Sequence, residues 1–346
     1  MSNMTKEYKE KIIYKYIIKE KETMRLINSS YEIIEPKSYD LDNVFKHIEL
    51  CGRVCYKSED KITPNSATKF VERMIKSGHT SVLEHGTIYL YREFELPAHN
   101  TTTSSEYYVE YYTWVQPYNE NPYSVVYVSY RQDGIAQVYV TTNYRVIVEN
   151  ALEDDLKYMV DQPMDRHERR YTVRFICDKG VSHEFVRHRV FSFSQESTRF
   201  CNYSKDKFGN EITYIIPSTC SDIPNNTVLK DKSDIDAFVW GELDTNSINT
   251  PKVTEFTRQY LYRLIDDELS YNVLINKGYK PQQARQILPN ALKTELIMTG
   301  FTHQWEDFFE LRDNKKAHPD AQKLAKPLHE EFIKRNYVYG ETNSKE

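Results

Sequence analysis

The stretch Val186–Phe200, VRHRVFSFSQESTRF, sets Arg187, His188 and Arg189 side by side and follows them with Ser197 and Arg199. Guanidinium and imidazole donors beside hydroxyls and amides suit an anion held by charge-assisted hydrogen bonds. The run Val181–Arg189 reads as a helix, on which Glu184, Arg187 and His188 share one face at spacings of three and four. Arg187 and Arg189, two positions apart, point in different directions, so one helix end could address two ligands or two subunits. Gln195-Glu196-Ser197-Thr198-Arg199 follows as a polar loop suited to phosphate oxygens. The competing reading is structural, an exposed basic helix end paired with surface carboxylates.

Several chemistries lack their required residues. No G-x-G-x-x-G and no G-x-x-x-x-G-K-[ST] occurs, which removes the usual dinucleotide and P-loop signatures. Ser197 has no evident base and orienting acid for a triad. Glu84-His85 and His183-Glu184 lack a second ligand at metal spacing, and Cys51-x-x-x-Cys55 has no partner pair to complete a zinc site. The five cysteines are scattered, as in a cytoplasmic protein with reduced thiols. A net charge of −5 argues against a general nucleic-acid binder, so a basic site here is a pocket and not a coat. No apolar run approaches the ~18–20 residues that span a membrane. The lysine-rich N-terminus lacks the apolar core and cleavage site of a signal peptide.

The elements that must carry this site follow from local signals. Residues 1–23 read as a charged extension, 24–335 as the folded domain and 336–346 as a tail. Asn65–Ser77 places Phe70, Val71, Met74 and Ile75 on one helical face, with Asn65 as cap and Gly78 as stop. Ile88, Leu90, Phe94 and Leu96 mark extended chain. The tyrosine-rich section of about 99–165 reads as an insertion carrying a helix near Asn143–Asn150. Tyr171–Cys177 alternates as a strand, and Asp178-Lys179-Gly180 reads as a turn. Thr254–Lys277 is a long amphipathic helix stopped by Gly278, followed by a shorter helix in PQQARQIL. ALKTELIMTG is a strand, Thr302 caps a helix through Arg312, and Pro319 opens a last helix to about Arg335. Strands and helices mix without βαβ alternation, which predicts an α+β fold, a mixed sheet with packed helices.

Arg187-His188-Arg189, seven residues, then Ser197 resembles the Arg-His-Arg-x7-Ser signature of flavin-dependent thymidylate synthases. Arg53-Val54-Cys55-Tyr56 is similar to the family's early Arg-Val segment. Gly78-His79-Thr80-Ser81-Val82-Leu83-Glu84-His85 is similar to its Gly-His segment ending in Glu-His. Ala284–Pro289 and Phe308–Arg312 resemble the paired C-terminal segments that supply two nucleotide-binding arginines. The resemblance covers roughly Met24–Arg335 apart from the insertion. The chain departs from the pattern at Phe200, where tyrosine is frequent, and at Gln195, where some members are acidic.

The resemblance implies methylation of dUMP at C5 to give dTMP, with 5,10-methylenetetrahydrofolate as carbon donor and NADPH as reductant through FAD. It implies a homotetramer with each site built from several subunits. Arg312 would favour an enolate-like pyrimidine, an electrostatic role. Ser197 and Arg199 would hold the nucleotide phosphate, completed by Arg285, with Glu184, Phe185, Val186, Arg187, Gln195, Glu196 and Thr198 lining the pocket. FAD would meet Cys55, His79, Ser81, Glu84, Arg187, His188, Arg189 and Gln195, and on its adenine side Phe301, Thr302, His303 and Asp307. Glu84 and His85 could pair structurally. The alternatives are a non-catalytic nucleotide- or RNA-binding protein using the arginines as an anion clamp, and a serine hydrolase built on Ser197 and His188.

Overall fold

The computed structural model describes residues 23–95, 104–199, 203, 211–241 and 251–339. The expected extension before Thr23, Leu96, Phe200 and the tail from residue 340 lie outside these. The described residues begin with β1 (Met24–Ile27) and β2 (Ser30–Ile34). Helices α1 (Leu41–Val54) and α2 (Ala67–Lys76) lead through a 3₁₀ turn at Thr80–His85 into β3 (Thr87–Glu95). Next come α3 (Ser104–Asn119), β4 (Val125–Tyr130), β5 (Ile135–Asn143) and α4 (Tyr144–Glu149). The third quarter holds β6 (Arg170–Asp178), α5 (Lys179–Phe185), β7 (Ser192–Gln195), β8 (Ile212–Ile215), β9 (Thr227–Leu229) and α6 (Lys232–Trp240). It closes with α7 (Glu255–Asn276), α8 (Pro281–Ala284), β10 (Lys293–Phe301), α9 (Thr302–Arg312) and α10 (Pro319–Lys334).

Three sheets result, each with its own core, and the fold is α+β as expected. The first, in the order β8-β1-β9, pairs β1 parallel with β8 and packs on α7. The second, β2-β6-β10-β7, is antiparallel throughout and packs against α5, α9 and α10. The third, β3-β5-β4, packs on α1, α2 and α3.

The tyrosine-rich section contains the helix expected near Asn143, whose side chain accepts from the Val146 amide at 3.2 Å. It also contains α3, β4 and β5, which the sequence reading did not separate. In α3, Tyr111, Trp114, Val115 and Tyr118 follow the helical period and are buried. Tyr107 and Tyr112 are exposed on the same helix, so the residue type does not mark the inner face. Strand β5 pairs with β3 from Thr87↔Asn143 to Glu95↔Ile135, so these residues complete a sheet that the preceding segment begins.

Two caps differ from expectation. Ser66, and not Asn65, stands at the start of α2, and its hydroxyl donates to Glu49 at 2.7 Å. Thr302 is the first residue of α9, and Gln304 Oε1 accepts from the Phe301 amide at 2.9 Å. Gly78 and Gly278, at φ 71° and 89°, end their helices in the left-handed region as predicted.

Strand β10 organises the site because its side chains alternate between two faces. Leu296 and Met298 enter the core under α9 and α10. Glu295, Ile297 and Thr299 face the other way, where Ile297 meets Cys51 and Val54 of α1.

Candidate functional site

Asp178 caps α5 through the Val181 amide at 2.8 Å, so the expected turn at Asp178–Gly180 is the helix start. The helix also ends earlier than predicted, at Phe185 and not at Arg189. Phe185 and Phe191 are both buried in the core of the second sheet. On a straight helix six residues turn the side chain by about 240°, so both rings could not enter one core. The chain instead tightens, with the His188 amide on the Phe185 carbonyl at 3.1 Å and the Arg189 amide on the Arg187 carbonyl at 2.9 Å.

This break separates the three basic residues. Arg187 and Arg189 are exposed and have no hydrogen-bond or ion-pair partner among the described residues. His188 turns inward, with its ring 5.1 Å from that of Phe308. Its Nε2 accepts from Arg312 Nε at 3.0 Å, which requires a neutral imidazole with its proton on Nδ1. Burial, and then the Arg312 charge, push its pKa down to about 4, while Asp307 acts in the opposite sense. Arg312 also donates Nη1 to the Glu184 carboxylate and Nη2 to the Glu184 carbonyl, each at 2.7 Å. The second hydrogens of Nη1 and Nη2 remain for a ligand. Glu184 and His188 therefore meet through Arg312, and Arg187 does not share their face.

On the other side of α5 lies a cleft of about 450 Å³ lined by Lys179, His183, Gln195–Thr198, Arg285, Gln286 and Asn290. Arg285 Nη1 donates to Thr198 Oγ1 at 2.9 Å, closing the cleft between two segments far apart in sequence. Gln195 Nε2 donates to Ser182 Oγ at 2.9 Å. The Ser197 amide donates to the Cys55 carbonyl at 3.1 Å, and the Arg199 amide to Ser197 Oγ at 3.4 Å. His188 makes its bond to Arg312 and not to Ser197, which removes the hydrolase triad. Lys179 and His183 were missed as cleft residues. Their four-residue spacing was visible, but Lys179 had been assigned to a turn.

Phe185 is wholly buried, and Glu196 is only 3% exposed. The Glu196 carboxylate points inward to Lys293 Nζ at 2.9 Å and to Tyr203 Oη at 3.3 Å. Neither side chain offers a donor to an anion in the cleft; Glu196 lies within the motif, and Phe185 two residues before it.

The residues expected around a flavin come from several elements. His79 Nδ1 bonds Tyr56 Oη at 2.9 Å, and Ser81 is exposed. Glu84 pairs with Arg145 at 2.6 Å and not with His85. Cys55 touches Ser194 and the Gln195 backbone, and burial pushes its thiol pKa up. Phe301 is buried beneath His303, the rings 5.6 Å apart, while His303 Nδ1 lies 3.3 Å from Glu168 and Asp307 is exposed.

A buried polar seam lies behind these groups. His47 Nε2 bonds Thr172 Oγ1 at 3.0 Å, and Thr172 bonds Thr299 Oγ1 at 2.8 Å. Thr299 bonds His85 Nδ1 at 2.8 Å, and His85 Nε2 bonds Ser194 Oγ at 3.0 Å. Buried polar groups persist only when they are paired in this way.

Among the described residues no group of three or more His, Cys, Asp or Glu could hold a metal ion. Among them, too, no helix is long and apolar enough to cross a membrane.

Residues 166–335 match the family described as Thymidylate synthase complementing protein. A flavin-dependent thymidylate synthase of Pyrococcus furiosus is 25% identical over 201 residues, covering 57% of this chain and 69% of that one. The enzyme of the same description from Mycolicibacterium vanbaalenii is 22% identical over 294 residues, 84% of this chain and 76% of its own. A solved structure, the UMP/dUMP methylase PolB of Streptomyces cacaoi bound with 5-Br dUMP, aligns with a TM-score of 0.37 at 13% identity. That alignment covers 90% of this chain and 93% of that one.

Proposed function

We infer that this chain is a flavin-dependent thymidylate synthase, which methylates C5 of dUMP to give dTMP. The carbon donor is 5,10-methylenetetrahydrofolate, and the reductant is NADPH acting through FAD. The observation that carries this reading is the bond from Arg285 to Thr198, which joins two of the segments that resemble the family into one anion cleft.

The donor set fits FAD. Arg187 and Arg189 are exposed cations without protein partners among the described residues, as a diphosphate would need. Bound flavin supplies an electron carrier between NADPH and the transferred carbon. The remaining tasks fall to side chains. Ser197, Thr198, Arg199 and Arg285 hold the nucleotide phosphate, with Lys179 and His183 on the facing wall. Arg312, aimed by Glu184 and His188, spends its two remaining N–H groups on the pyrimidine carbonyl where negative charge develops. His79, Ser81, Glu84, His303 and Asp307 frame the flavin.

Two exposed arginines on one turn suit a site shared between subunits, so a homotetramer is part of this reading. Cytoplasmic residence is another part, in keeping with the free thiols of Cys51, Cys55, Cys177 and Cys220.

The test is an absorbance spectrum of the purified protein, followed by flavin titration of Arg187→Ala and Arg189→Ala and an assay for dTMP. Flavin bound by the wild type, weakened in the variants and accompanied by dTMP formation is expected. Nucleotide binding without flavin would leave only an anion clamp.

A further inference from the structure

Beneath the cleft, Lys57 and Lys293 share the carboxylates of Glu196 and Glu295. Lys293 Nζ lies 2.9 Å from Glu196 and 2.5 Å from Glu295. Lys57 pairs with Glu295 and lies 3.8 Å from Glu196, and Arg174 pairs with Glu295 from the neighbouring strand. We propose that Lys57 is a positioning residue for the nucleotide phosphate, holding Glu196 and through it the Ser197–Arg199 loop, and keeping the charges beneath the cleft from turning net negative. The inference rests on the dUMP reading of the cleft.

The backbone at Lys57 supplies the first argument. Its φ is 47°, and the Ser58 amide reaches back to the Arg53 carbonyl at 3.2 Å, closing α1. Glycine is the usual residue at such a left-handed helix end, because a Cβ is disfavoured there. Strain of this kind persists where the surrounding structure over-determines the residue, and often where function needs it. Here it aims the ammonium group under Glu196.

The fastening of the loop is the second. The Glu196 amide donates to the Glu295 carbonyl at 2.9 Å, and the Ser197 amide to the Cys55 carbonyl at 3.1 Å. Glu196 Oε1 accepts from Tyr203 and Oε2 from Lys293. Four hydrogen bonds from two successive residues thus set the loop that carries Ser197, and one of them ends two residues before Lys57.

Charge is the third. Three cations, Lys57, Lys293 and Arg174, meet the buried carboxylates of Glu196 and Glu295, and Glu59 lies 3.9 Å from Lys57, so three positive charges face three negative ones below an anion site. Glu32, 3.9 Å from Arg174 and 67% exposed, is better screened. Burial, and then Lys293, push the Lys57 pKa down to about 8, with Glu196 and Glu59 opposing. The charge is therefore present at neutral pH and lost as pH rises through 8, leaving two cations against three anions beneath the phosphate.

The experiment is equilibrium dialysis of dUMP and of deoxyuridine against flavin-loaded wild type, Lys57→Met and Lys57→Arg between pH 7 and 9. Deoxyuridine shares the ring and its titration but lacks the phosphate. Lys57→Met is expected to weaken dUMP at pH 7 by roughly tenfold, as for one lost charge-assisted contact, with deoxyuridine within about twofold. In turnover, KM for dUMP rises while kcat stays near wild type. Wild-type dUMP affinity falls above pH 8, and Lys57→Arg, which does not titrate there, retains affinity and abolishes that fall. Unchanged dUMP binding in Lys57→Met, or equal weakening of dUMP and deoxyuridine, would overturn the proposal. Should Lys57→Met not fold, an alkaline fall retained in Lys57→Arg overturns it alone. Wild type that binds no dUMP would instead sink the functional reading, and this inference with it.

Discussion

Arg312 grips Glu184 twice, through its carboxylate and its main-chain carbonyl, each at 2.7 Å, so one guanidinium fastens the C-terminal ends of α5 and α9. Such a fork needs planar, parallel donors, which lysine lacks. Arg312→Lys should therefore lower dTMP formation per bound flavin by roughly 10²–10³, the size of one lost transition-state contact. A modest loss of stability, on the order of 1–2 kcal/mol, should accompany it as the Glu184 contacts go. Turnover per flavin-loaded subunit and thermal unfolding separate the two effects. Near-wild-type turnover would confine Arg312 to a structural role.

Ser197 is placed to bind and not to attack, since its hydroxyl accepts from the Arg199 amide and, among the described residues, bonds no imidazole. Ser197→Ala should weaken dUMP roughly tenfold and leave measurable dTMP formation. Arg285→Ala, which removes a forked cation from the cleft mouth, should cost more. A covalent Ser197–nucleotide adduct seen by mass spectrometry would contradict the binding role.

The buried seam makes stability depend on pH. Burial is the first cause that pushes His47 down to about 4 and His85 down to about 3 from the ordinary 6.5. Below 6.5 the unfolded chain takes up protons that the folded imidazoles refuse, so stability falls as pH drops. The loss grows until about pH 4 for His47 and pH 3 for His85. At pH 5 it amounts to about 2 kcal/mol per imidazole. Denaturant unfolding at pH 7 and pH 5 should show this slope, and His85→Gln should flatten it. Equal slopes in the two proteins would count against the assignment.

Gly300 permits a close approach in β10. A Cβ there would lie 2.5 Å from Cδ1 and Cε1 of Phe191, whose ring packs 4.8 Å from that of Trp305. Gly300→Ala should destabilise the protein by about 1–3 kcal/mol through overpacking. Because Phe191 also neighbours the His188 ring that aims Arg312, turnover per folded subunit should fall with it. An unfolding midpoint equal to wild type would show that the ring can yield.

Much of the fold was legible from residues alone. Thr254 caps α7 through the Thr257 amide at 3.2 Å, and Gly278 ends it, because caps and stops act within one turn of chain. The alternation of β6 was legible because it too is local, as was the spacing that sets Arg187, His188, Arg189 and Ser197 in one stretch. Tertiary structure decided which way those side chains face. Two phenylalanines competing for one core cut α5 short, so His188 turned in to Arg312 while Arg187 and Arg189 stayed out. Glu196, a motif residue among hydroxyls, turned inward because Lys293 and Lys57 wait beneath it. Lys57 and Glu295 stand 238 residues apart. No period or cap reaches that far, and only the folding of α1 against β10 brings the two charges together.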